Sequence, residues 1–229
     1  MATQYSNGKI VTNGLVLSLN AADPNSYVSG STTWNDMSGG GNNGTLTNGP
    51  TYSSTNGGSI VFDGIDDYVS CGNNSILQLS QGTISAWVKT LNPGSGFRSI
   101  ITKQFNYGLF CYDGVLITYD WGNGLVRTTG LNIADNSWKH ICMTFTTNTG
   151  TPSNNAIIYS NGSSILTTTI KRNDSFNIEF EIANGGTGNG GDTQQLNGNI
   201  ANVQIYNRTL SSTEILQNYN AQKSRFGLS

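Results

Sequence analysis

Tyr119-Asp120-Trp121-Gly122-Asn123 sets two aromatic rings, a carboxylate and an amide around a glycine. Aromatic faces carry the C–H surface of a sugar ring, and carboxylates and amides hold its hydroxyls. The spacing therefore predicts a sugar-binding loop, with Trp121 as platform and Asp120 and Asn123 as polar partners. Phe105, Asn106 and Tyr107 form a second cluster of the same kind. The other available chemistry is calcium ligation, which wants about six to eight oxygens from carboxylates, amides and carbonyls. Asp36 with Asn42 and Asn43, and Asp63 with Asp66 and Asp67, supply such oxygens. The same residues equally build Asx turns, so the competing role is structural. A single structural calcium is the one cofactor expected.

Other chemistries lack parts. His140 is the only histidine, and no G-x-S-x-G elbow exists for it to serve. Zinc is unsupported, because Cys71, Cys111 and Cys142 show no ligand spacing with it. The glycine-rich stretch from Asn184 to Gly191 has no lysine for phosphate. Charged residues are only 10% of the chain and the net charge is -2, which excludes a basic footprint for nucleic acid or an anionic membrane. No apolar run approaches the length of a membrane span, so no membrane insertion is expected. Residues 1–12 are polar and lack the apolar core of a signal peptide. The three cysteines, odd in number and without a close pair, read as free buried thiols made in a reducing compartment.

The elements that must position these residues are strands. Twenty-nine glycines among 229 residues, with abundant Asn, Ser and Thr, supply turn chemistry many times over. Thr83-Ile84-Ser85-Ala86-Trp87-Val88-Lys89 alternates, with Ile84, Ala86 and Val88 on one face. Asp113-Gly114 and Asn161-Gly162 are favoured hairpin turns, and Asp63-Gly64 is a further turn signal. Near the C-terminus Ala201, Val203 and Ile205 are placed on one strand face, with Asn202, Gln204 and Tyr206 on the other. Ser211 stands three residues before Glu214, a capping box for a short helix with an apolar stripe of Ile215, Leu216 and Tyr219. A strand is expected from Phe176 to Ile182 and a loop from Asn184 to Gln195. The pattern predicts an N-terminal arm over residues 1–13 and one domain over 14–229. That domain is all-β: a two-sheet antiparallel jelly-roll sandwich with one short C-terminal helix.

The strand-turn-helix ending from Gly198 to Leu216 resembles the closing segment of laminin-G-like domains of the concanavalin A-like lectin/glucanase superfamily. Trp34-x-Asp36-x-Ser38-Gly39, Phe62-Asp63-Gly64-x-Asp66-Asp67-Tyr68-Val69, Ile84 to Lys89 and Trp138-Lys139-His140-Ile141 are similar to further blocks of that family, in the same order. The resemblance implies a jelly roll and, in relatives, often a structural calcium. Many relatives carry acidic pairs where this chain has Ala201-Asn202. Retaining glucanases of the superfamily use E-x-D-x-x-E, whose acids attack the sugar and protonate the leaving group. Glu179-Phe180-Glu181-Ile182-Ala183-Asn184 is the nearest approach, and its last acid is an amide. The expectation is therefore not an enzyme.

The Gly198-Asn199-Ile200-Ala201 variant and the Lys223-Ser224-Arg225-Phe226-Gly227 ending look like those of bacteriophage and other viral chains. The expected role is a virion structural component: a capsid decoration, fibre or tail-associated protein that binds capsid or tail proteins. A cell-surface glycan and self-association are further expected partners, and assembly would occur in the host cytoplasm. The alternatives are a free extracellular lectin module and a divergent glycoside hydrolase.

Overall fold

The computed structural model describes residues 8–91, 95–147, 153–172, 178–185 and 194–229. The described strands form two eight-stranded antiparallel sheets. The first contains β1 (Leu15–Asn20), β4 (Thr51–Ser53), β5 (Ser59–Asp63), β7 (Gly82–Thr90), β12 (Lys139–Phe145), β13 (Ala156–Ser160), β14 (Ser163–Thr168) and β16 (Asn197–Tyr206). The second contains β2 (Thr33–Trp34), β3 (Gly44–Thr47), β6 (Tyr68–Ser70), β8 (Phe97–Lys103), β9 (Tyr107–Tyr112), β10 (Val115–Asp120), β11 (Leu125–Asn132) and β15 (Phe180–Ile182). This is the expected two-sheet sandwich. Of the strand anticipated over 176–182, residues 180–182 are strand, and 176–177 lie outside the described residues. So do residues 186–193 of the anticipated loop and 1–7 of the arm.

One inner face of each sheet makes the core. Leu17, Leu19, Ile84, Ala86, Val88, Ile141, Met143, Val203 and Ile205 meet Val69, Ile101, Leu109, Cys111, Leu116, Phe180 and Ile182 in one buried cluster. Each such side chain contributes about 1.5–3 kcal/mol by leaving water. β16 organises the first sheet because it is long enough to be shared. Its whole length runs beside β7, its first half pairs with β5 and its second half with β1. The turn at Asp63-Gly64, with Gly64 at φ 78, carries the chain from β5 in one sheet to β6 in the other. Asp113-Gly114 and Asn161-Gly162 close hairpins with positive φ at both central positions, as the type I′ turn requires.

The face assignment along β16 needs one correction. A bulge between Ile200 and Asn202 shifts its register against β7. The extra residue resets the period of two, so Ala201 turns away from Val203 and packs with Trp87 and Phe226 outside the sheet. The helix α1 (Ser212–Asn220) has the expected capping box: Ser211 Oγ accepts from Glu214 N–H at 3.3 Å, and Glu214 Oε2 accepts from Ser211 N–H at 2.8 Å. Its stripe differs from the expected one, because Leu216 is exposed and Asn218 is buried. Asn218 spends its amide on Val11 N–H and the Tyr206 hydroxyl. Gln217 and Arg208 hold the Lys9 and Asn13 carbonyls. Residues 9–13 are thus tied to the domain. No described helix is long and apolar enough to cross a membrane.

Candidate functional site: an aromatic cleft on the second sheet

Alternation sends Leu109, Cys111 and Leu116 into the core, so Phe110, Tyr112 and Tyr119 emerge on the outer face of the second sheet. There Phe97 is the hub of an aromatic cluster. Its ring centroid lies 4.7 Å from Tyr112, 6.0 Å from Phe110 and 5.7 Å from Tyr119. Trp121 extends the cluster, edge-on to Phe110 at 6.1 Å and to Tyr119 at 5.7 Å. Edge-to-face packing fixes the rings while leaving faces available.

Phe97, Phe110, Tyr119 and Trp121 line a cleft of about 320 Å³. Phe105 and Gln104 enter it from the β8–β9 turn, and Gly185 and Gln194 border it after β15. A Cβ at Gly185 would meet the Gln194 side-chain amide, so a larger residue there would displace that amide from the border of the cleft. No charged side chain lines the cleft among the described residues. The arrangement offers ring faces, neutral amides and a volume that suits a small polar ligand with apolar faces.

The two sequence clusters, separated by more than ten residues, converge here through Phe105, Tyr119 and Trp121. Their other members do different work. Tyr107 is fully buried in the core, its hydroxyl donating to the Leu77 carbonyl at 2.7 Å. Asp120 is fully buried as well. It accepts from Arg127 at 2.6 Å, from the Asn123 amide at 3.0 Å and from Lys171 N–H at 3.0 Å. Burial alone would raise the Asp120 carboxyl, but these hydrogen bonds and the Arg127 charge hold it below the usual range. Asp120 and Asn123 therefore brace the turn that presents Trp121, and do not line the cleft. Sequence reasoning missed Phe97, Gln104, Phe110, Gly185 and Gln194. Only Phe110 left a signal, being out of phase with Leu109 and Cys111.

The acidic clusters separate by geometry. Asp36 accepts four hydrogen bonds, from Ser18 N–H, Ser38 N–H, Ser38 Oγ and Asn42 N–H, and so closes its own loop. Asn42 is buried and donates to the Val16 carbonyl. Asp63, Asp66 and Asp67 bring carboxylate oxygens within 4.8 Å of one another. Asp63 accepts from Ile65 N–H, and Asp67 from Asp63 N–H. Burial, then the charges of Asp63 and Asp66, raise the Asp67 carboxyl. Of the two clusters, this one gathers three carboxylates, whereas the other holds a single carboxylate bonded within its own loop.

The chain belongs to the laminin-G-like family described as the concanavalin A-like lectin/glucanases superfamily, whose model matches residues 63–216. No curated protein matches the chain. Among solved structures it is similar to the binding domain of Paraclostridial mosquitocidal protein 1, at 21% identity and TM-score 0.68, covering 92% of this chain and 52% of that one. It is similar to Trypanosoma rangeli sialidase in complex with sialic acid, at 16% identity and TM-score 0.69, covering 93% of this chain and 33% of that one. It is also similar to domain 4 of AbnA, an extracellular arabinanase from Geobacillus stearothermophilus solved with arabinotriose, at 18% identity and TM-score 0.64, covering 90% and 98%. The chain thus spans about half and a third of the first two. These likenesses establish the fold.

Proposed function

We propose that this domain is a non-enzymatic glycan-recognition module serving as a virion component. The observation that carries recognition is the cleft, where five aromatic rings and two neutral amides meet over the outer face of the second sheet. That solved neighbours include toxin binding domains and a domain bound to arabinotriose is consistent with this reading. The acids support a non-catalytic reading. Glu179 accepts from Ser70 Oγ at 2.6 Å, Glu181 is fully buried, and position 184 is an amide. A retaining mechanism needs one carboxylate free to attack and another to protonate.

Support for the virion setting is the resemblance of residues 223–227 to segments of viral chains, together with three buried free thiols. Thiols of that kind suit assembly in reducing cytoplasm before release. As a decoration, fibre or tail-associated protein, the domain would present its cleft outward.

Two experiments test the halves separately. Calorimetric titration with oligosaccharides should show binding that Trp121→Ala weakens at least tenfold, about 1.4 kcal/mol. Undiminished binding would remove the cleft from the function. Mass spectrometry of density-purified particles should find the chain in fixed ratio to the major capsid protein. Its absence would leave a free lectin.

A further inference from the structure

Two features of the β8–β9 turn are unfavourable for folding alone. Gln104 is 2% exposed, lines the cleft, and its Oε1 is buried without a hydrogen-bond partner. A buried amide oxygen left unpaired opposes folding unless something else bonds it. Phe105, the next residue, has φ 66. With Asn106 N–H bonded to the Lys103 carbonyl at 2.9 Å, it occupies the second central position of the turn, where positive φ is the province of glycine. A bulky side chain there is strained, and such strain persists where the surroundings or the function require it.

The sheet behind the turn repeats the polar theme. Thr102 Oγ1 is also buried without a partner, and it converges with the Phe110 ring on the space where Gly108 lacks a Cβ. Phe110 lines the cleft, so one unpaired neutral oxygen, Thr102 Oγ1, lies behind that ring. Neutral acceptors and ring faces suit a ligand that donates hydroxyls and has a flat C–H face. No charged side chain lines the cleft among the described residues, so an acidic ligand would meet no cation there, and burying its unpaired charge is costly.

We infer that the β8–β9 turn is the reading head of the cleft and that its ligand is an uncharged sugar. Gln104 Oε1 accepts a sugar hydroxyl, and Phe105 is held in its strained conformation to lay its ring against the same sugar. This deepens the glycan reading and rests on it. It also makes two predictions that glycan binding in general does not. The ligand carries no acid, and relieving the turn harms binding while sparing the fold.

The test uses the full chain, calorimetry and urea denaturation. The probes are gluco-, manno-, xylo- and arabino-oligosaccharides, with sialyllactose and tri-galacturonate as acidic counterparts. A neutral probe should bind and the acidic ones should not. Gln104→Leu, which keeps the shape but loses the acceptor, should weaken binding at least tenfold. Phe105→Gly should weaken it similarly while the urea midpoint stays level or rises. If a neutral sugar binds both variants as tightly as the parent, or an acidic one binds best, the inference falls and the glycan reading stands. If Phe105→Gly lowers the midpoint as it lowers affinity, the turn is structural and the inference likewise falls. If none of the probes binds the parent chain, both fall together.

Discussion

Trp87 and Phe226 stack face to face on the outside of the first sheet, their ring centroids 4.0 Å apart and their planes 19° from parallel. Phe226 belongs to the short 3-10 turn Lys223–Phe226 that follows α1, so this contact anchors the end of the chain to the middle of β7. Tyr219 stacks on Trp87 as well, at 5.8 Å, and Trp138 meets Phe226 at 4.8 Å. Arg225 reinforces the anchor by donating to Asn56 O and Gly58 O and to Asn20 Oδ1. Phe226→Ala should therefore destabilise the domain by about 3 kcal/mol, as expected for truncating a buried aromatic. Urea denaturation followed by tryptophan emission reads both the loss and the wetting of Trp87. An unchanged midpoint would show that the C-terminal turn is dispensable.

His140 lies beneath the same cover, 5.4 Å from Trp87 and 6.0 Å from Tyr219 between ring centroids. Burial lowers its pKa from 6.5 to about 4. The unfolded chain therefore binds the proton more readily than the fold between those values. Stability is full above pH 6.5 and falls as pH drops toward 4, by up to about 3 kcal/mol. His140→Phe should flatten that portion of a stability-versus-pH curve. A variant curve as steep as the parent's would assign the acid sensitivity elsewhere.

Arg208 grips Glu214 with two bonds, 2.6 and 3.0 Å, while Glu214 also accepts from Ser211 N–H in the capping box. The Arg208 bonds, then the Ser211 backbone, bring the Glu214 carboxyl down to about 2. Its stabilisation is present above the ordinary carboxylate range and is lost as pH falls through about 2. Glu214→Ala should cost about 1–2 kcal/mol at neutral pH by removing cap and ion pair together. Glu214→Gln keeps an oxygen for Ser211 N–H and should lose roughly half as much. Thermal melts of the two variants separate cap from charge.

Cys71, Cys111 and Cys142 are all buried, and burial raises each thiol, that of Cys111 to about 11. Thiolates are the reactive species, so the native protein should resist a thiol reagent at pH 8 and react fully only in denaturant. Rapid labelling of a native cysteine would show local opening at that site.

Much of the architecture was legible in the chain because it depends on local rules. Alternation marked the strands, Asp-Gly and Asn-Gly marked the hairpins, and Ser211 with Glu214 marked the helix start, since each reflects short-range sterics or hydrogen bonding. Two aromatic clusters and the acidic Asp63–Asp67 stretch were likewise visible as residue types. Direction and meeting were not. A bulge beside Ile200 sent Ala201 to the opposite face, and bulges depend on pairing with β7, which no single strand encodes. Asp120 looked like a ligand-binding acid until Arg127 and the Lys171 backbone enclosed it. Phe97 and Gln194, nearly a hundred residues apart, border one cleft only because β8 lies in the same sheet as β15 and the chain returns past it. The sequence by itself determined which surfaces must be buried and where the backbone must turn. Tertiary structure decided which of the remaining side chains share a space, because that depends on strand order and register across the whole sandwich.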